Sequence, residues 1–397
     1  MSTTPITEKR HARVDVADVL RGLAVMGIIV LHCIEHFNFY SFPDTSGDGP
    51  WLRFCDRAVW DGLFFVLGGK AYAIFAMLFG FSFFIQDDNQ RMRGKDFRLR
   101  FCWRLFLLFL FGNFNACFFT AEILVMYSLL GFVLVLTCRL SDKWAFLLAC
   151  LLMIQPVAIY HIIRAATDAS YIIPTIPTGE LWRACNVMQR SGDFFDTVKV
   201  NLWEGQLASL AWAWDNARIF QTSSLFILGM LVGRRGLLLE QHTATWGKIL
   251  AGALIVFFPL YGLSNMLPGF IENRNVLQPL LLIINSLHKF AFMLVLVSGV
   301  IFAYYRTNLK NLLQKIIPYG RMSLTNYIMQ SIIGSMLFYH WGFDLHDNLG
   351  ITASALVGVC LFFLQWAFCR WWLKHHTHGP LEYLWKKGTW LKGGSIN

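Results

Sequence analysis

The stretch RVDVADVLRGLAVMGIIVLHCIEH, from Arg13 to His36, sets an apolar helical run among ionisable side chains. From about residue 19 to 39 it is long enough to cross a membrane, which takes ~20 helical residues. Yet it carries Asp18, Arg21, His32, Glu35 and His36. Arg21 and His32 are eleven residues apart. That is close to three helical turns, so they share one face, ~16 Å apart along the axis. Asp18 lies within reach of an i,i+3 ion pair with Arg21. Glu35 and His36 follow His32 on its own side. Ionisable groups at membrane depth are costly and normally face the bundle interior or a wet cavity. The stripe therefore predicts a polar tunnel running inward from the cytoplasmic end. Each residue also has a plainer reading. Arg21 snorkels to headgroups, His32 makes one structural hydrogen bond, and Glu35 and His36 emerge at the outer interface. One shared site explains the stripe better than these separate accounts.

The rest of the chain shares this solvent. Of 397 residues, 56% are hydrophobic, 16% aromatic and only 15% charged. Soluble domains carry about 25% charged residues, so lipid must solvate much of this one. Net charge is +10, but the basic residues gather at the ends of apolar runs. They read as topogenic charge at an anionic leaflet, not as a nucleic-acid surface. Nine cysteines show no metal-type spacing. Most lie inside apolar runs as small core residues. Cys55 and Cys185 fall in predicted outward-facing loops, which leaves a disulfide between them open. The first 18 residues are polar, and the run after them lacks a small-residue cleavage site, so it reads as a retained span.

Ten apolar stretches are expected to be membrane helices, at about 19–39, 59–86, 101–119, 121–139, 143–163, 218–233, 247–264, 280–304, 317–340 and 351–373. The second is overlong, and Gly68-Gly69-Lys70 inside it predicts a kink, a break or a re-entrant turn. Basic residues alternate between loops. Lys9, Arg10 and Arg13 precede span one; Arg91, Arg93, Lys95, Arg98 and Arg100 follow span two. Arg139, Lys143, Arg234, Arg235, Arg306, Lys310 and Lys315 continue the pattern, and Lys374, Lys386, Lys387 and Lys392 end it. The opposite loops are poor in charge, so both termini are expected in the cytoplasm. The expected fold is an all-α polytopic bundle, a single transmembrane domain over 1–397. It comprises a cytoplasmic segment 1–18, a long outward-facing loop 165–216 and a cytoplasmic interfacial tail 374–397. Trp182, Trp203, Trp212 and Trp214 in that loop fit an interfacial aromatic belt, or a lid over an outer site.

Further candidates lie elsewhere. Lys70, deep in the second stretch, either binds an anionic group, pairs with Glu35 or snorkels from a broken helix. Arg218 opens the sixth stretch, where headgroup anchoring is the default. Ser323, Asn326, Tyr327, Gln330 and Gly334 recur at helical spacing, as interhelical hydrogen-bond glue. Asn326 or Gln330 is alternatively placed to orient His32 or to donate to an oxyanion. His375, His376 and His378 lack paired carboxylates, so no metal is expected. No phosphate loop, dinucleotide fingerprint, nucleophile elbow or zinc-protease helix occurs in context, which excludes those chemistries.

A histidine in a desolvated pocket beside a carboxylate suits a general base, and an arginine at the mouth suits phosphate. The pattern Asp18-x-x-Arg21-Gly22-x-Ala24 followed by His32 resembles the first helix of the transmembrane acyltransferase superfamily. That group includes acyltransferase family 3, with its Arg-x10-His motif, and the heparan-alpha-glucosaminide N-acetyltransferase type. The resemblance implies transfer of an acyl group from acyl-CoA, with acetyl-CoA first choice and His32 as base. Lys70–Gly80, Glu122–Gly131, Gly320–Ser331 and Gly379–Trp385 resemble the YeiB-like bacterial membrane proteins, a family without a defined function. Two positions depart from that family, which usually has Asp at Glu122 and His at Asn115.

The expected function is an inner-membrane acyltransferase acting on an envelope-side or lipid-linked acceptor. His32, Glu35 and His36 are the catalytic candidates. Asp18, Arg21, Lys70, Glu122, Arg218, Asn326 and Gln330 are the donor- and substrate-binding candidates. The alternatives are a transporter of a small anionic or lipidic solute using the same stripe, and a scaffold without catalysis. Membrane lipids and a small-molecule or glycan-linked acceptor are the expected partners.

Overall fold

The computed structural model describes residues 14–43, 47, 49–168 and 170–390. The basic residues Lys9, Arg10, Arg13 and Lys392 lie outside them. Every regular element among the described residues is helical. The first half holds α1 (Asp15–Ile34), α2 (Pro50–Leu67), α3 (Ala71–Arg91), α4 (Arg98–Ala116), α5 (Leu124–Leu130), α6 (Phe132–Thr137), α7 (Asp142–Met153) and α8 (Pro156–Thr167). Next come α9 (Thr178–Ser191), α10 (Phe194–Val200), α11 (Gln206–Asp215) and α12 (Arg218–Arg234). The chain finishes with α13 (Thr243–Met266), α14 (Arg274–Arg306), α15 (Lys310–Gln314), α16 (Ile317–Arg321), α17 (Ser323–Phe338), α18 (Ile351–His375) and α19 (Pro380–Thr389).

Each of the ten apolar stretches is helical, but they differ in reach. Five are long and apolar enough to cross a membrane: Asp15–Ile34, Pro50–Arg91, Glu240–Gly269, Arg274–Arg306 and Ile351–His375. A sixth is added if the pair α7 and α8, bent by 49° at a short break, is one span. The other stretches fall short for visible reasons. α4 opens with Arg98, Arg100 and Arg104, and the 121–139 stretch is interrupted at Gly131. α12 has 17 residues, and α17 has 16 after a break at Met322. The 165–216 segment is not an extended loop. It folds into α9, α10, a π-turn at Asn201–Gly205 and α11.

α1 is the central helix. Its span window is 78% buried, against 11% for Glu240–Gly269, which includes α13. α1 packs on α18, α16, α3, α17 and α2, whereas α13 leans mainly on α14. α3 and α12 run side by side with their N-termini at the same end. A side chain at Gly80 would strike the Phe226 carbonyl, and one at Gly229 the Met77 carbonyl. This is the small-residue crossing that lets helix backbones touch where no water drives association. At the other end of the bundle, Glu382 of α19 accepts from the Leu324 and Thr325 amides at 2.8 and 3.0 Å and from Thr325 Oγ1 at 2.6 Å. It satisfies the orphan donors that open α17.

Candidate functional site

The apolar run of α1 ends earlier than its hydropathy suggests. After Ile34 the backbone widens, with the Phe37 amide donating to the His32 carbonyl and the Tyr40 amide to the Glu35 carbonyl, both at 2.9 Å. Phe39 and Tyr40 then take left-handed conformations. This turn holds His32, Glu35, His36 and Tyr40 along one wall of a cavity of about 510 Å³. Small-molecule sites span roughly 300–1,000 Å³.

The opposite wall comes from the break that Gly68-Gly69-Lys70 predicted. α2 stops at Leu67 and α3 starts at Ala71. Gly69 has φ +75°, a conformation that a side chain disfavours, and an added Cβ would stand 3.2 Å from both Arg218 Nη2 and Lys289 Cδ. The Lys70 ammonium turns back to the Phe65 carbonyl at 2.7 Å. Arg218, the first residue of α12, donates to the Tyr72 hydroxyl at 2.9 Å and to Gln221 Oε1 at 2.7 Å. Its guanidinium sits 4.7 Å from the Tyr72 ring and 5.6 Å from the Trp212 ring. Glu122 closes a third side. It is fully buried, and it accepts from Asn115 Nδ2 and from the Leu124 amide. The two positions that depart from the YeiB-like pattern are thus hydrogen-bonded to each other.

α9 and α11 roof the cavity. Trp182 stacks on His36 at 5.9 Å, and Phe119 lies 4.6 Å from the His32 ring. The roof is fastened by a buried polar knot beside a second cavity of about 250 Å³ that shares His36, Tyr40, Trp182 and Trp212. Gln189 Nε2 donates to Asn201 Oδ1 at 2.7 Å, and Thr120 Oγ1 donates to the same oxygen at 3.0 Å. His32 Nδ1 is buried without a hydrogen-bond partner among the described residues.

Six of the ten candidates named from the sequence therefore line one cavity: His32, Glu35, His36, Lys70, Glu122 and Arg218. Four do not. Arg21 pairs with Asp18 at 2.6 Å, as the spacing predicts, but its other contact is Ser82 of α3 at 2.9 Å. Asn326 donates to the Tyr319 carbonyl at 2.9 Å and accepts from Cys369, stitching α17 to α16 and α18. Gln330 is fully buried, with neither amide atom hydrogen-bonded among the described residues. Lys289 is a further basic residue of this cavity, outside those ten candidates. A lysine inside the apolar stretch 280–304 was the available signal. Cys55 and Cys185 are both free thiols, so the disulfide left open by their loop placement is not formed. His376 stacks on Trp372 at 4.0 Å, and the Trp372 indole donates to the His378 carbonyl at 2.9 Å.

Several apolar helices around a charged internal cavity mark this chain as a membrane protein. Residues 232–392 match the family described as "Protein of unknown function (DUF418)". Along most of its length the chain is similar to two uncharacterized bacterial proteins. It is 27% identical to YxaH of Bacillus subtilis (strain 168), over 96% of this chain and 95% of that protein. It is 24% identical to a 39.9 kDa protein in the amylase 3' region of Bacillus acidopullulyticus, over 95% of this chain and 94% of that protein. A shorter stretch, 19% of each chain, is 37% identical to the uncharacterized YeiB of Escherichia coli (strain K12). These likenesses support a YeiB-like domain of unknown function. No solved structure matches.

Proposed function

We propose that this protein is a multi-pass acyltransferase of the bacterial inner membrane, with His32 as general base and Glu35 and His36 assisting. One observation supports this most: His32 shares an internal cavity with both of them, with Glu122 and with basic side chains. Such a cavity keeps bulk water from a reactive acyl group and holds a base within reach of an acceptor. His32 takes the proton from an acceptor hydroxyl or amine as that atom attacks the thioester carbonyl. The C–S bond breaks, and the imidazolium returns the proton to the leaving thiolate. The donor is acyl-CoA, acetyl-CoA first, and the acceptor is an envelope-side or lipid-linked molecule. No metal enters the scheme.

In this reading the chain crosses the membrane ten times with both termini in the cytoplasm, as the alternation of loop charge supports. The cavity then lies under an outward-facing 165–216 segment. Arg21, held by Asp18, stays toward the cytoplasmic end of α1 to meet the phosphates of the donor.

The test is direct. Purified wild type in detergent should turn over acyl-CoA, and His32→Ala should lose transfer by ~10²-fold or more while remaining folded. Wild type that neither binds nor hydrolyses acyl-CoA would sink the proposal. A basic cavity also favours transport of an anionic solute. That rival predicts flux in vesicles that follows a pH gradient, without covalent change in the solute.

A further inference from the structure

We propose that the Gly68–Gly69 break is an anion subsite, formed by Lys70, Arg218 and Lys289, for a phosphate or pyrophosphate group on the molecule that the cavity receives. The assignment rests on reading this cavity as the substrate site.

The charge in the cavity does not balance. Three cations and two carboxylates line it. The Glu122 carboxylate is already engaged by Asn115 and by the backbone that opens α5. Glu35 is left, and its one ion pair among the described residues is with His36 at 3.7 Å. Three positive charges against two carboxylates leave an excess of one, and only Glu35 is free to turn toward them. Unpaired charge away from water is costly and calls for a counter-charge. Arg218 Nε, moreover, is buried without a hydrogen-bond partner among the described residues.

The helix termini add to this. α3 begins one residue after Lys70 and α12 begins at Arg218, and neither N-terminus has a side-chain cap. Each carries the positive end of its helix dipole, and Tyr72 of the first turn of α3 and Arg218 at the start of α12 both line the cavity. Gly69 keeps the spot open, because a Cβ there would press on the Arg218 guanidinium and the Lys289 stem. A phosphate monoester carries about −1.5 to −2 near neutral pH, enough to offset the excess. Leu31, Phe64 and Leu67 line the same cavity, so the chemistry beside the anion is apolar. A soluble phosphate compound and a lipid phosphate share the recognised group.

The experiment uses full-length protein in an uncharged detergent, followed by its thermal unfolding midpoint. One arm titrates inorganic pyrophosphate, a second adds phosphatidic acid in mixed micelles, and chloride at equal ionic strength is the blank. The expected result is a saturable rise of about 5 °C in at least one arm and none with chloride. A response to pyrophosphate assigns the site to a soluble compound, and a response to phosphatidic acid alone assigns it to a lipid. Arg218→Gln and Lys289→Gln should each weaken the response about tenfold or more. Arg218→Lys and Lys289→Arg, which keep the charge, should retain most of it and serve if the neutral variants do not fold. Equal responses from wild type and the neutral variants, or no response in either arm, overturn the subsite. His32→Ala should bind the anion like wild type, so loss of transfer with binding intact separates the two proposals. Transfer without anion binding would overturn the subsite alone.

Discussion

Asp18 and Arg21 close a 2.6 Å ion pair one turn apart on α1, and the same guanidinium donates to Ser82 of α3 at 2.9 Å. The pair ties the central helix to its neighbour, outside the cavity lining. The Asp18 carboxylate is buried. Removing it strands a partly buried cation, at a cost of ~3 kcal/mol or more. Asp18→Ala should lower the unfolding midpoint in detergent, and Arg21→Ala added to it should recover part of the loss. Strictly additive losses in that double-mutant cycle would show that the two side chains are not coupled.

Asn115 and Glu122 form a second pair, completely buried. Asn115→Leu removes a donor from a carboxylate that has few others, and should cost about 1–3 kcal/mol. Asn115→His restores a ring N–H at that position and should regain much of the loss. Thermal unfolding of the two variants side by side decides it. Equal stability would mean the donor at this position is immaterial.

The crossing of α3 and α12 should tolerate almost nothing larger than glycine. A leucine at position 229 would drive its Cβ into the Met77 carbonyl, and overpacking a tight core typically costs 1–3 kcal/mol or more. Gly229→Leu should give aggregated protein on size-exclusion chromatography. The equivalent change at Gly262, where an added Cβ meets nothing within 4 Å, should elute as wild type does.

Glu382 offers a pH signature. Burial lifts its carboxyl above the ordinary glutamate range, against the hydrogen bonds from Thr325 and Leu324. A carboxyl raised in the folded state favours folding in its protonated form. That contribution is complete below the ordinary value of about 4.3 and is lost as pH rises through the raised one. Glu382→Gln keeps an acceptor for the α17 amides and should flatten this dependence of the unfolding midpoint. Glu382→Ala loses the cap as well, at about 1–3 kcal/mol. A glutamine variant with an unchanged pH profile would refute the account.

Much of this arrangement was legible in the chain. Two glycines before Lys70 announced the break between α2 and α3, because a positive φ inside an apolar run has few other causes. Helical spacing put His32, Glu35 and His36 on one wall. Spacing along a single helix cannot say which neighbour a face meets, and so it paired Arg21 with Asp18 without announcing the contact to Ser82 of α3. Nor does it foresee that Lys289, more than two hundred residues away, comes to stand beside Gly69. The 165–216 segment looked like a loop because its polar and aromatic residues mask its helices. Hydropathy windows, in turn, do not register the breaks at Gly131 and Met322.

The glycine contacts between α3 and α12 also constrain how the cavity is entered. Lys70 and Arg218 sit at the starts of two helices whose backbones touch a few turns further on. The floor between them therefore has little freedom to spread. The roof is pinned too, since Gln189, Thr120 and Asn201 knot α9 to the turn beneath it. Trp182 and Trp212 line the cavity from that pinned roof, one stacked on His36 and the other against Arg218. Whatever the cavity admits is therefore selected by a frame whose backbone is held on both sides.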